Sequence, residues 1–95
     1  MSKPLKISDN ITFESIDENV YILNIDNGEY YKLSKSASLI WREIDAGFDI
    51  DEIKIKLKSK FSNNDDIEND VEEAIRDLIN LNLITDNWEI FSIKQ

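Results

Sequence analysis

The segment that most constrains this fold is a pair of apolar runs separated by a turn sequence. The runs are Val20–Ile25 and Tyr30–Leu33, and Asn27-Gly28 lies between them. Both residues of this pair tolerate the positive φ angles that a type I′ turn demands of its two central residues. The pair is therefore the strongest short-range signal for a β-hairpin. We predict two antiparallel strands joined by a tight turn.

The turn also predicts the pairing and the two faces of the hairpin. With Asp26 opposite Glu29, Ile22 lies opposite Leu33, and alternate side chains point to opposite faces. Both faces are rich in apolar groups, so we expect part of the second face to be covered as well. The predicted faces are Val20, Ile22, Tyr31 and Leu33 on one side and Tyr21, Leu23, Ile25 and Tyr30 on the other.

Composition narrows the class of protein. A chain of 95 residues predicts a single domain over residues 1–95. Cysteine and histidine are both absent from the sequence, so we expect no catalytic residues, no metal site and no cofactor. The formal charge of -9 opposes binding to nucleic acid, which is itself a polyanion. The sequence shows no signal-peptide pattern and no apolar run of membrane-spanning length, so we expect a cytoplasmic protein without membrane contacts.

A third strand is expected before the hairpin. In residues 11–16 apolar and polar side chains alternate imperfectly, and a polar turn follows them. These residues are expected to complete a three-stranded antiparallel sheet. Residues 1–9 are expected to be a loosely ordered lead-in, in which Leu5 and Ile7 are the residues able to add an edge strand. A sheet of this size needs a covering layer of helices.

Three helices are predicted to follow, each with an apolar stripe at helical spacing. The first runs from an N-cap at Ser34 to a stop at Gly47. The second opens with Asp49 and Glu52, a capping-box pair, and the third begins within Asp65-Asp66. The stripes are Ala37, Ile40, Trp41 and Ile44 in the first helix, Ile50, Ile53, Leu57 and Phe61 in the second, and Ile67, Val71, Ala74, Ile75 and Leu78 in the third.

Short extended pieces near the end of the chain predict a wing. Leu83-Ile84 and Trp88–Phe91 flank a turn at Asp86-Asn87. The order of the elements predicts an α+β, winged helix-turn-helix-like fold. In this fold a three-stranded antiparallel sheet is followed by three helices and a short C-terminal wing.

The segment from Gly28 to Trp41 reads Gly-Glu-Tyr-Tyr-Lys-Leu-Ser-Lys-Ser-Ala-Ser-Leu-Ile-Trp. It resembles the PqqD-like family, also called RiPP recognition elements. Members carry Gly-x-Tyr-Tyr-x-Leu, a short polar cap, a helix with Ile-Trp, and two further helices ending in a Leu-Ile pair. The chain departs from the family at Asn82, where members often have Gly, but Asn also accepts the left-handed conformation. The matching positions are Gly28, Tyr30, Tyr31, Leu33, Ile40, Trp41, Leu83 and Ile84.

The resemblance implies a non-catalytic domain that binds the leader region of a ribosomally synthesised precursor peptide. The domain would present this peptide to a modifying enzyme, such as a leader peptidase or a radical SAM enzyme. The leader would add a strand to the sheet and lie between the third strand and the third helix. The resemblance does not decide between the biosynthetic pathways in which such domains act, namely the pyrroloquinoline quinone, lasso-peptide, thioether-peptide and related pathways. Carried over by position, the peptide-binding residues are Glu29, Tyr30, Tyr31, Lys32 and Leu33 on the strand and Asp70, Val71, Ala74, Asp77 and Leu78 on the helix.

Two features of these residues allow more than one interpretation. Asp70, Glu73 and Asp77 share one face of the third helix. They form either an ordinary solvated face or an acidic row that selects a basic or amphipathic peptide, which adds Glu73 to the candidate peptide-binding residues. Tyr30 and Tyr31 point to opposite faces of their strand, so one ring is expected to pack inside and the other to suit a binding groove or simple surface packing.

Two other functions share this architecture. A winged-helix DNA-binding regulator would place its third helix in the major groove, but this helix is acidic and carries Arg76 as its basic residue. A structural adaptor that dimerises through the second apolar face of its sheet is also compatible with the sequence. We therefore expect a monomer or a weak homodimer.

Overall fold

The computed structural model describes residues 5–63 and 65–86, which form a sheet, three helices and a second, smaller sheet. In the larger sheet the strand order is β2-β3-β4, all antiparallel, and β1 pairs with β5. The predicted α+β fold, with a three-stranded antiparallel sheet followed by three helices, is confirmed. Along the described residues, no helix has the length and apolarity needed to cross a bilayer. The elements are β1 Leu5–Ile7, β2 Ile11–Ile16, β3 Asn19–Asn24, β4 Tyr30–Lys32, α1 Lys35–Asp45, α2 Ile50–Lys60, α3 Ile67–Asn80 and β5 Ile84–Asp86.

The hairpin of β3 and β4 has a different register from the predicted one. Ile22 lies opposite Tyr31 rather than Leu33, so the predicted pairing is wrong by two residues. A shift by an even number of residues leaves every side chain on its predicted face. Val20 and Ile22 are accordingly buried on the helix side of the sheet, and Tyr30 is exposed on the other side.

The side chain of Asn24 explains the longer loop of this hairpin. Its Oδ1 accepts hydrogen bonds from the backbone N–H groups of Asp26 and Asn27. Its backbone C=O accepts from the N–H of Gly28 at 2.8 Å. The chain therefore wraps around Asn24 in an Asx-type turn. Gly28 has a φ of 76° whereas Asn27 lies outside the positive-φ region, so the predicted type I′ turn is wrong.

The predicted starts of α1 and α2 are confirmed, whereas α3 begins at Ile67, directly after the predicted Asp65-Asp66, with Asp66 as its N-cap residue. The Oγ of Ser34 accepts from the N–H of Ala37 at 3.2 Å and caps α1. The side chains of Asp49 and Glu52 each accept from the other's backbone N–H, which forms a capping box at α2. Gly47 follows α1 with a φ of 99°, as expected of a C-terminal stop.

The core lies between the helices and one face of the larger sheet. Trp41, Ile22 and Ile53 are among its fully buried side chains. Ser38 is a buried polar residue of α1, and its Oγ accepts from the N–H of Val20 at 2.9 Å and donates to the C=O of Leu33. This pair of hydrogen bonds fixes α1 against the ends of β3 and β4.

Residues 5–7 form a strand rather than part of a loosely ordered lead-in. Leu5 lies opposite Asp86 and Ile7 opposite Ile84 in the antiparallel pair of β1 and β5. Because the partner strand is distant in sequence, local patterns predicted no more than an optional edge strand here. The predicted second limb of the wing, Trp88–Phe91, lies outside the described residues.

Helix α3 ends at a residue in the left-handed conformation. Asn82 has a φ of 63°. Its N–H donates to the C=O of Ile79, and the N–H of Leu83 donates to the C=O of Leu78. These two bonds form a Schellman motif, in which Asn occupies the position that Gly most often fills.

Replacing Asn82 with alanine is expected to lower the free energy of unfolding by about 1 kcal/mol, because alanine pays the full steric cost of a positive φ. Asn82→Gly is expected to leave stability unchanged or to raise it slightly. Urea unfolding followed by circular dichroism measures both effects. Asn80→Ala, at an exposed position inside α3, is the control, and an equal loss in both alanine variants would contradict the strain argument.

Candidate functional site

A cleft of about 650 Å³ opens between the end of β4, the first half of α1 and one side of α3. Its inner part is apolar and its rim carries charged side chains. The lining residues are Lys32, Leu33, Ser34, Ser36, Ala37, Leu39, Ile40, Leu57, Phe61, Ile67, Asp70, Val71, Glu73, Ala74, Asp77, Leu78 and Leu81.

Strand β4 forms an edge of the larger sheet beside this cleft. The N–H of Leu33 donates to the C=O of Val20 in β3 at 2.9 Å. Backbone groups alternate in direction along a strand, so Leu33 and Tyr31 face β3 whereas the N–H and C=O of Tyr30 and Lys32 point to the open edge. An extended chain placed there would find main-chain partners.

The cleft brings together most of the residues predicted to bind a peptide. Lys32 and Leu33 line it on the strand side. Glu29, Tyr30 and Tyr31 lie outside the lining, in the hairpin loop and on β4. The predicted residues of α3 all line the cleft, namely Asp70, Val71, Glu73, Ala74, Asp77 and Leu78.

The two adjacent tyrosines occupy different environments, as alternation predicts. Tyr31 is half-buried, and its hydroxyl donates to Oε1 of Glu29 at 2.6 Å. This hydrogen bond raises the pKa of Tyr31, because a carboxylate acceptor favours the neutral phenol. Tyr30 is 65% exposed and its ring lies 6.2 Å from that of Tyr21 on the outer face of the sheet. Part of this outer face is therefore open.

Helix α1 contributes lining residues that the sequence analysis did not identify. Ser36, Leu39 and Ile40 are among them. One sequence signal could have indicated this role. Leu39 is apolar but does not belong to the apolar stripe of α1, whose members Ile40, Trp41 and Ile44 are buried. Phe61, at the end of α2, is 37% exposed and also lines the cleft.

The acidic residues of α3 divide into two groups. Glu72 pairs with Lys54, and Oε2 of Glu68 lies 3.5 Å from Nζ of Lys58, so these two carboxylates face the lysines of α2. The acidic row, formed by Asp70, Glu73 and Asp77, lines the cleft instead. Within residues 5–63 and 65–86, no three acidic, histidine or cysteine side chains are grouped to hold a metal ion. The row gives the cleft a negative wall opposite β4.

Comparison with known proteins places this geometry in a family. The family model described as Coenzyme PQQ synthesis protein D (PqqD) matches residues 19–84, from the start of β3 to the first residue of β5. No curated protein sequence matches the chain. A solved structure described as "TbiB1 in Complex with the TbiA(beta) Leader Peptide" is 30% identical, covers 83% of this chain and 93% of that chain, and superimposes with a TM-score of 0.77.

The matched region contains the strand and the three helices that line the cleft. It spans well over half of the chain. The resemblance noted in the sequence is thereby confirmed, and the chain belongs to the PqqD family.

Proposed function

We propose that this protein binds the leader region of a ribosomally synthesised precursor peptide and presents it to a modifying enzyme, such as a leader peptidase or a radical SAM enzyme. In this role it catalyses no reaction itself. The likeness to TbiB1, which was solved with the TbiA(beta) leader peptide, is the observation that carries the proposal. The cleft beside the open edge of β4 supports it, because this arrangement suits an extended peptide.

The proposed binding mode uses the strand edge and the cleft together. The leader adds a strand next to β4 and exchanges main-chain hydrogen bonds with Tyr30 and Lys32. Each such bond contributes a net ~0.5–1.5 kcal/mol. Alternate side chains of the leader enter the cleft near Ala74 and Leu78, where burying one large apolar side chain contributes roughly 1.5 to 3 kcal/mol. Main-chain contacts thus supply affinity, and the cleft supplies specificity.

A titration tests the proposal. Leader peptides encoded by short open reading frames beside the gene are added to the full chain, and amide NMR shifts are followed. We expect saturable binding in the micromolar range or tighter, about 8 kcal/mol or more. The shifts are expected to concentrate at residues 29–33 and 70–78, and a scrambled leader is the control. Absence of binding by every candidate peptide to the folded protein would refute the proposal.

Lys32→Pro is expected to weaken leader binding about fivefold, because proline removes the one N–H that Lys32 directs to the open edge. An edge strand tolerates proline at such a position, so the fold is expected to persist. Lys32→Ala removes the same side chain but keeps the N–H, and it is the matched control. Peptide affinity is measured by fluorescence anisotropy. Equal affinities of the two variants would argue against strand addition at this residue.

The acidic row predicts that the affinity for a basic leader falls as the salt concentration rises. Exposed charges are screened over about 10 Å at 0.1 M salt and about 3 Å at 1 M. Glu73→Gln is expected to reduce the slope of this dependence. Glu68→Gln is the control, since Glu68 faces Lys58 outside the cleft. Isothermal calorimetry over a salt series measures the slopes, and a salt-independent affinity would contradict a steering role of the row.

A further inference from the structure

A second pocket, of about 510 Å³, adjoins the cleft. Ser36, Leu39 and Phe61 line both spaces and therefore mark the passage between them. The second pocket lies between the turn that follows β2, one side of α1 and the end of α2. A peptide that extended from the cleft over Leu39 and Phe61 would reach this pocket.

The charge of the second pocket is opposite to that of the cleft. Its described lining carries three cations, Lys35, Arg42 and Lys60, and one carboxylate, Glu18. The Nζ of Lys35 lies 2.9 Å from Oε1 of Glu18. The hydrogen bond from Lys35, together with its charge, holds the pKa of Glu18 below its ordinary value, so Glu18 is ionised at neutral pH and offsets Lys35.

The other two cations leave an excess of positive charge. Arg42 donates from Nε and Nη2 to the Oγ of Ser15 at 3.1 and 2.8 Å, and from Nη2 to the C=O of Asp17. These acceptors are uncharged, so they orient the guanidinium. Glu18 is the one carboxylate of the described lining and acts on Arg42 as well as on Lys35, so one negative charge still faces three positive ones. Lys60 adds its ammonium at the end of α2. This cationic pocket belongs to a chain of net charge -9, and it adjoins a cleft with an acidic wall.

We propose that the second pocket binds an acidic segment of the same leader peptide whose basic or apolar segment occupies the cleft. This inference rests on the proposed function. Leu39 and Phe61 at the passage suit an apolar leader residue between the two charged segments. The order of charges in the peptide then selects which leader binds and which end lies over α3. The net charge of the chain opposes a polyanionic nucleic acid as the occupant.

Selection from a random peptide library on the immobilised full chain tests this inference even while the natural leader is unidentified. We expect the enriched peptides to combine an acidic segment with a separate basic or apolar segment. Lys60→Glu is expected to lower the affinity of an enriched peptide about fivefold, because it replaces an attraction by a repulsion. Lys58→Glu is the matched control, since Lys58 lies on the same helix but outside both linings. Thermal melting verifies that both variants are folded.

The outcomes separate this inference from the proposed function. One outcome is that the enriched peptides contain no acidic segment and that the substitution Ala74→Trp in the cleft abolishes their binding. This outcome would overturn the inference about the second pocket and leave the proposed function standing. Equal losses of affinity in Lys60→Glu and Lys58→Glu would also overturn the inference about the second pocket, because the affinity would then depend on the net charge of the protein alone. A selection that enriches no peptide would overturn both.

Discussion

Replacing Ala74 with tryptophan is expected to abolish leader binding and to leave the fold intact. Ala74 is half-buried on α3 and lines the cleft. An indole there would fill the space that the proposed function assigns to an apolar side chain of the leader. Burial of such a side chain contributes up to about 3 kcal/mol, which corresponds to a factor of about a hundred in Kd. Displacement of the peptide from the edge of β4 would add to this loss.

The measurement is fluorescence anisotropy of a labelled leader peptide with the wild-type and variant proteins. Arg76→Trp is the matched control, because it introduces the same side chain at an exposed position of α3 outside the cleft. Circular dichroism and the Tm report whether each variant is folded. Undiminished affinity in a folded Ala74→Trp protein would remove this cleft as the peptide site.

Replacing Trp41 with alanine is expected to lower the free energy of unfolding by about 3 to 5 kcal/mol. Trp41 is fully buried in α1. Its ring meets the ring of Phe13 edge to face, with centroids 5.3 Å apart and an interplanar angle of 78°. Because small domains are stable by only about 5–15 kcal/mol, this single change is expected to bring the protein close to unfolding at room temperature.

Trp41→Phe is the informative companion to this variant. Among the described residues, the buried indole Nε1 of Trp41 has no hydrogen-bond partner. Phenylalanine therefore loses apolar volume but no hydrogen bond to a described residue, and it removes a polar N–H from the core. We expect a much smaller loss than for alanine. Urea unfolding followed by circular dichroism compares the free energies of unfolding of Trp41→Ala and Trp41→Phe. Equal losses in the two variants would show that packing of an aromatic ring at this position contributes little to stability.

Features that depend on neighbouring residues were predictable from the sequence. The cap at Ser34 and the capping box of Asp49 and Glu52 involve residues three positions apart, and both form as predicted. The hairpin register was not predictable from Asn27-Gly28, because the side chain of Asn24 competes for the backbone of the turn. The predicted faces of the strands are nevertheless correct, because a register shift of two residues leaves each side chain on the same face.

The site was predictable on α3 and only in part elsewhere. The apolar stripe and the acidic row place Ala74 and Glu73 at the cleft. Tyr30 was assigned to the same groove, but its side chain lies on the outer face of the sheet. Tyr30 contributes to the open edge of β4 only through its backbone. The contribution of Leu39 depends on how α1 lies against α3, which periodicity within one helix does not specify. The pairing of β1 with β5 is missed for the same reason, because it joins distant parts of the chain.

The pairing of β1 with β5 has a consequence for how this domain can be joined to other polypeptides. Leu5 lies directly opposite Asp86, so the first and the last residue of the described chain lie side by side. A tether attached at residue 5 and one attached at residue 86 would start from neighbouring points of the fold. Insertion of residues 5–86 into a loop of a host protein would therefore leave only a short gap to bridge between the two junctions.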